Sequence, residues 1–339
     1  MKKIEVDELV IEITRKCNMC CAHCLRGPAE AINISDEVID RICQDICSIG
    51  TIIFTGGEPS LYPEAMDRIL KQCKKHNIIV GSFYLVTNGK ELSDRFLHSV
   101  LDWAIYTAPY DDDEISGISL STDKFHDSIT MDADAILRRF RFYRDTDHKV
   151  DGPIAYLIRE GRAADLDSPN IQFREPEVLV STVDTDMIEW SKNRLHIMDI
   201  QLYISATGDV KLGCDDSYKN MTNRIGTLSE TRSLYDILEF FLNETLDDDK
   251  SQTDTLYTKI LSQMGDGDGN PYDGLYCEVS ISDTDTAHIE YHPNGSYVTY
   301  QKITSGKEQL LAEYVITRPS KEVMAWQLTM LLHEQENFR

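Results

Sequence analysis

Short apolar runs alternate with helical segments from residue 9 onward, and this alternation limits the possible folds more than any other feature of the chain. LVIEIT (9–14), TIIFT (51–55), FYLVT (83–87), GISLS (117–121) and PIAYLI (153–158) read as strands. Between them, Ser35 can cap a helix with Asp36 and Glu37 in its first turn and Val38, Ile39, Ile42 and Ile46 on one face. Pro63 suits a first helical position, with Met66, Ile69, Leu70 and Cys73 following at helical spacing. Helices are also expected near 91–103 and 131–145. DIQLYIS (199–205) with the VKLG that follows a Gly-Asp turn reads as a sixth strand passing into a hairpin. Strands that alternate with helices pair in parallel, so the fold class is α/β, either a barrel or a doubly wound sheet.

Past about residue 240 the pattern changes. Residues 245–285, rich in Asp, Thr, Gly and Ser, read as an irregular acidic segment. HIEYH and SYVTYQ around Pro293-Asn294-Gly295 read as a β-hairpin, and Ser320 caps a last helix carrying Val323, Trp326, Met330 and Leu331. Two regions are expected: a core over 1–240 and a small α+β extension over 241–339.

Lys and Arg number 34 against 58 Asp and Glu, a formal charge of −24. Such a surface repels phosphate backbones and anionic membranes, so nucleic acid is an unfavourable partner. The longest apolar runs, about 5–6 residues, are far short of the roughly 20 a spanning helix needs. The first ten residues hold no apolar stretch of signal-peptide length, and the expected location is the cytoplasm. Nine cysteines, an odd number, argue against a disulfide framework.

Four of those cysteines fall in Cys17-Asn18-Met19-Cys20-Cys21-Ala22-His23-Cys24, just after the first strand. Cys17, Cys21 and Cys24 have C-x3-C-x2-C spacing, which wraps one loop around one object. A cubane iron–sulfur cluster takes four ligands, normally thiolates, so three local cysteines leave one iron open. An open position distinguishes a reactive metal site from a closed structural one. Two other readings stand beside this one: a zinc site on Cys20 or Cys21 with His23 and Cys24, and a set of unligated thiols. Cys20 is the spectator in the trio reading.

With Gly56-Gly57-Glu58-Pro59 after the second strand, this loop resembles the radical S-adenosylmethionine (SAM) superfamily. Thr87-Asn88-Gly89 after the third strand and SLSTD (119–123) after the fourth agree with it. The resemblance spans about residues 5–240. It implies a partial (β/α)6 TIM-like barrel with its site at the C-terminal strand ends. It implies one [4Fe–4S] cluster on Cys17, Cys21 and Cys24, whose open iron chelates SAM. A single electron, from a donor such as flavodoxin or ferredoxin, then yields a 5′-deoxyadenosyl radical that takes hydrogen from a substrate. Gly56 and Gly57 would let backbone approach the cofactor, and Glu58 would meet its ammonium. Asn88 would shape the cofactor wall, Ser119 or Ser121 would reach the ribose, and Arg159 would hold the carboxylate. The superfamily often has an aromatic residue before the third cysteine, where this chain has His23.

Residues 208–214, Gly-Asp-Val-Lys-Leu-Gly-Cys, resemble peptide-maturing members, so a peptide or protein is the expected substrate. Only Cys214 and Cys277 follow residue 73, too few for a second cluster. Cys43, Cys47 and Cys73 read as core residues on helical faces. Lys124, Phe125 and His126, after the fourth strand, are candidates to line the substrate cavity; His126 reads either as a proton carrier there or, more plainly, as a surface histidine near Asp123 and Asp127. Asp266-x-Asp268-x-Asn270 begins like a calcium loop, but Pro271 and Cys277 stand where Gly and Glu are required. The contrasting class is a non-catalytic zinc- or cluster-binding regulatory protein.

Overall fold

The computed structural model describes residues 3–126, 132–145, 155–183, 187–191, 194–245, 256–264, 276–282, 284–292, 297–316 and 320–336. Contacts divide the chain into two units. Unit 1 comprises Met1–Glu177, Asp186–Tyr218 and Thr227–Tyr235; unit 2 comprises Val178–Thr185, Lys219–Gly226 and Asp236–Arg339.

Unit 1 opens with β1 (Lys3–Thr14), α1 (Asp36–Asp45), β2 (Ile46–Gly56), α2 (Pro63–His76), β3 (Ile79–Thr87), α3 (Asp94–Thr107) and β4 (Gly117–Leu120). Ser35 caps α1 by accepting from the Val38 N–H at 3.2 Å. α1 buries Ile39, Ile42 and Cys43, and α2 buries Met66, Ile69, Leu70 and Cys73. α3 buries Phe96, Val100 and Trp103, whose indole N–H donates to the Met66 carbonyl at 3.2 Å.

The helix expected over 131–145 is one short turn, α4 (Ala133–Leu137), after which the chain forms β5 (Tyr143–Arg144). β6 (Ala155–Ile158) occupies the place of the expected fifth strand, but it pairs with β7 (Ile171–Arg174) in a separate two-stranded sheet. β8 (Ile188–Ser191), β9 (Arg194–Ile204) and β10 (Asp209–Leu212) complete the unit. In the main sheet β9, β1, β2, β3, β4 and β5 run parallel in that order, while β8 and β10 each pair antiparallel with β9. The fold is α/β with a mainly parallel sheet. Because β1 to β4 are parallel neighbours, their C-terminal ends share one edge, and the Cys17–Cys24, Gly56–Pro59, Asn88 and Ser121 segments all leave from it. Cys47, expected on a helix, lies in β2 and is half-buried, since α1 ends at Asp45.

The short strand β11 (Arg224–Thr227) lies beside β10 at the end of the main sheet, and unit 2 holds a separate antiparallel sheet of β12 (Tyr276–Ser280), β13 (Asp285–His292), β14 (Tyr297–Thr304) and β15 (Lys307–Val315). β13 and β14 are the expected hairpin strands; their turn at 293–296 and the calcium-like residues 266–271 lie outside the described residues. Helices α5 (Leu234–Thr245), α6 (Leu256–Gln263) and α7 (Lys321–Glu336) are present, and α6 falls within the stretch expected to be irregular. Trp326 and Tyr300 are fully buried; Trp326 donates to the Arg224 carbonyl at 3.2 Å, and Arg224 pairs with Glu334 at 3.2 Å. Those contacts draw the earlier segment 219–226 into this unit. Among the described residues no helix is long and apolar enough to cross a membrane.

Candidate active site

A cavity of about 680 Å³ lies at the C-terminal strand edge of unit 1, lined by Cys17, Cys21, Cys24, Gly56, Gly57 and Glu58 together with Asn88, Ser121, His126 and Cys214. This volume is within the range of cofactor and ligand sites. Cys17, Cys21 and Cys24 are half-buried and in no disulfide, and Cys20 is exposed. Burial pushes the Cys17 thiol above its ordinary range; the Met19 N–H, which donates to its sulfur at 3.4 Å, opposes this, and nearby Glu58 adds to it.

The glycines act on the protein's own backbone. The Gly57 N–H donates to the Thr14 carbonyl and the Glu58 N–H to the Lys16 carbonyl, both at 2.8 Å. A Cβ on Gly56, whose φ is +150°, would lie 2.0 Å from the Thr14 oxygen, and one on Gly57 would lie 2.2 Å from the Lys16 oxygen. Only glycines let the end of β2 lie this close to the chain that enters the cysteine loop.

Glu58 is buried at 2% exposure, and its carboxylate is already engaged. It accepts from the Ser60 N–H at 3.1 Å, the Thr87 hydroxyl at 2.7 Å and the Asn88 N–H at 2.8 Å. Burial raises its pKa, and these three donors oppose the rise. The residue expected to meet a cofactor ammonium is thus first the anchor of the 87–89 turn, although it also borders the cavity. The Asn88 side-chain N–H₂ donates to Asn18 Oδ1 at 2.9 Å, and Lys90 Nζ donates to the Asn18 carbonyl at 2.7 Å. The third strand end therefore grips the first half of the cysteine loop.

The second half is held by a residue that carried no sequence signal. The Arg162 N–H donates to the Cys24 carbonyl at 2.9 Å, and its guanidinium donates to the Cys21 carbonyl at 3.3 Å. Arg26, two residues past Cys24, also lines the cavity; it donates to the Asp216 carbonyl at 2.6 Å and lies over the Tyr203 ring at 4.9 Å.

Two expected residues do not reach the cavity. Ser119 is fully buried, hydrogen-bonded to the Tyr84 hydroxyl and donating to the Arg144 carbonyl, both at 2.8 Å. β4 ends at Leu120, so Ser121 lies past the strand and lines the cavity while Ser119 does not. Arg159 stacks on Phe173 at 3.9 Å and pairs with Glu175 at 3.4 Å, outside the cavity wall. His126 lines the cavity, with its Nδ1 2.8 Å from Asp123 Oδ1 and its Nε2 3.2 Å from the Ser121 hydroxyl. The Arg138 and Arg141 side chains pair with Asp134, Asp145 and Glu114, as a solvated basic face should.

A parallel sheet with clustered thiols at its C-terminal edge and a cavity beneath them defines a cofactor-dependent enzyme site. Residues 11–148 match the sequence model of the radical SAM superfamily. Over those residues the chain carries a radical SAM domain, the kind of enzyme domain whose cofactors are a [4Fe–4S] cluster and SAM. No curated protein matches the chain by sequence. Among solved structures, native anSMEcpe with bound AdoMet and the Cp18Cys peptide is 14% identical, with 70% of this chain and 80% of that chain covered and a TM-score of 0.39. Streptococcus suis SuiB bound to the precursor peptide SuiA is also 14% identical, with 60% and 58% covered and a TM-score of 0.28.

Proposed function

We propose that Cys17, Cys21 and Cys24 hold one [4Fe–4S] cluster, and that SAM occupies the cavity between them and the Gly56–Glu58 and Asn88 turns. The observation that carries this reading is the convergence of three thiols, the glycine pair, Glu58 and Asn88 on one cavity. Held there, the cluster and SAM would supply reductive cleavage of the sulfonium and, through it, removal of a hydrogen atom from the substrate. The chain's own contribution is position and exclusion of water. Asn88, Lys90 and Arg162 fix the thiol loop from both sides, and Val10, Ile53, Leu157 and Ile158 give the cavity an apolar wall. The site of action we assign is the cytoplasm, where thiols stay reduced.

The substrate class we propose is a peptide or protein. This rests on the 208–214 segment, which brings Cys214 to the cavity, and on Tyr156, which lines the same cavity while 73% exposed. An exposed aromatic ring at a cavity edge suits an extended chain better than a fully enclosed metabolite. The electron enters from a flavodoxin- or ferredoxin-type donor.

Anaerobic reconstitution tests the reading. About four iron atoms per chain, the content of one cubane, with 5′-deoxyadenosine formed in the presence of dithionite, are the expected result. Failure of the chain, stripped of zinc by a chelator beforehand, to take up iron or cleave SAM would instead favour the non-catalytic binding protein. Deuterium transfer from labelled peptides into 5′-deoxyadenosine then identifies the substrate.

A further inference from the structure

We propose that, in the cluster-free protein, Cys21, His23 and His126 form a mononuclear site for a divalent cation of the zinc class, and that its occupancy blocks cluster assembly. The blocking half rests on the cluster assignment above, because both sites need Cys21.

One ligand atom from each of the three side chains lies within 4.8 Å of the other two. In a tetrahedral zinc site, bonds of about 2.0–2.3 Å set ligand atoms about 3.5 Å apart, so roughly an ångström of side-chain rotation closes the set. Thiolate and imidazole are the donors such a cation takes, and the fourth position is left to solvent.

The outer partners are already in place. Asp123, its side chain 1% exposed, accepts from His126 Nδ1 at 2.8 Å and from the Phe125 N–H at 2.8 Å. That bond leaves His126 Nε2 as the metal-binding nitrogen. The other Asp123 oxygen lies 3.5 Å from His23 Nε2, which leaves His23 Nδ1 for the cation. That Nδ1 is buried and has no hydrogen-bond partner. A single carboxylate thus hydrogen-bonds one imidazole, as in carboxylate–histidine–metal sites, and its second oxygen faces the other. The rings are fixed as well: His23 stacks on Phe125 at 4.8 Å and meets His126 edge-on at 5.1 Å. The Cys21 thiolate and the Asp123 carboxylate together balance a dication.

The test is an anaerobic titration of the full-length, cluster-free chain with Co²⁺. Wild type should bind one equivalent, with the intense visible bands of tetrahedral cobalt and a thiolate-to-cobalt band in the near ultraviolet. Cys21→Ser should lose the thiolate band. His126→Ala, or His126→Gln if the alanine variant misfolds, should weaken cobalt at least tenfold. Asp123→Asn should weaken it about 10–100-fold, the usual effect of losing an outer partner. Cys17→Ser should retain the full spectrum. A pale octahedral spectrum in wild type overturns the site, as does loss of the spectrum in Cys17→Ser with His126→Ala unchanged. One equivalent of Zn²⁺ should stop iron uptake by wild type and leave uptake by His126→Ala intact; equal uptake by zinc-loaded and metal-free wild type overturns the blocking role. Failure of metal-free wild type to take up iron defeats the cluster reading and leaves the cobalt result standing.

Discussion

The Asn88 backbone N–H donates to Glu58 Oε2 at 2.8 Å, which ties the end of the third strand to the end of the second beneath the cysteine loop. Through Asn88 the same tie continues to Asn18. Replacing Glu58 by Gln turns an amide N–H₂ toward groups that donate. The expected cost is about 1–3 kcal/mol of stability, the penalty of leaving a buried polar group unmatched. Urea denaturation of Glu58→Gln against wild type measures it.

The same carboxyl makes stability depend on pH. Burial raises the folded pKa of Glu58 above the ordinary glutamate value, so the folded state binds the proton more tightly than the unfolded state. Its contribution is therefore fully present below about pH 4.3 and is lost as pH rises through the folded pKa. The stability difference between wild type and Glu58→Gln should shift in favour of wild type on acidification from pH 7 toward pH 5. A difference that stays flat over that window contradicts the assignment.

Gly57→Ala should loosen the cysteine loop. Its Cβ meets the Lys16 oxygen at 2.2 Å and the Arg15 oxygen at 2.8 Å, both backbone atoms that cannot rotate away. A destabilisation of about 1–3 kcal/mol is expected, as for other forced overpacking, together with reduced iron content after reconstitution.

Cys20→Ala should leave iron content unchanged, because Cys20 is exposed and lies outside the cavity wall. Cys17→Ala should abolish the cluster absorbance. The reverse pattern would move the ligand set to Cys20.

The two serines separate core from site. Ser119→Ala removes two buried hydrogen bonds, one to the Tyr84 hydroxyl and one to the Arg144 carbonyl, and at about 0.5–1.5 kcal/mol each should cost about 1–3 kcal/mol in a denaturation curve. Ser121→Ala should change stability by less than about 0.5 kcal/mol, as loop substitutions at a cavity edge do. SAM affinity, read by calorimetry on the reconstituted protein, should respond to Ser121→Ala alone.

What the sequence determined by itself was local. Hydrophobic periodicity set β1 to β4 and α1 to α3, because a strand or helix face is written in residues two to four apart. The C-x3-C-x2-C spacing named one thiol loop, because only seven peptide bonds separate Cys17 from Cys24 and keep the three sulfurs within one short turn of chain. The tertiary structure decided whatever depends on distant chain or on where an element stops. Ser119 went to the core and Ser121 to the cavity because β4 ends between them, a boundary that periodicity does not fix. Strand 155–158 left the main sheet for a partner at 171–174, and Arg159 went with it to the surface. Arg162 reached the cysteine loop and Asp123 reached His23 across about a hundred residues or more of sequence, for which no local pattern exists. The two glycines were legible as a place of close approach, but only the fold showed that the backbone approached there belongs to Thr14 and Lys16, at the entrance to the cysteine loop.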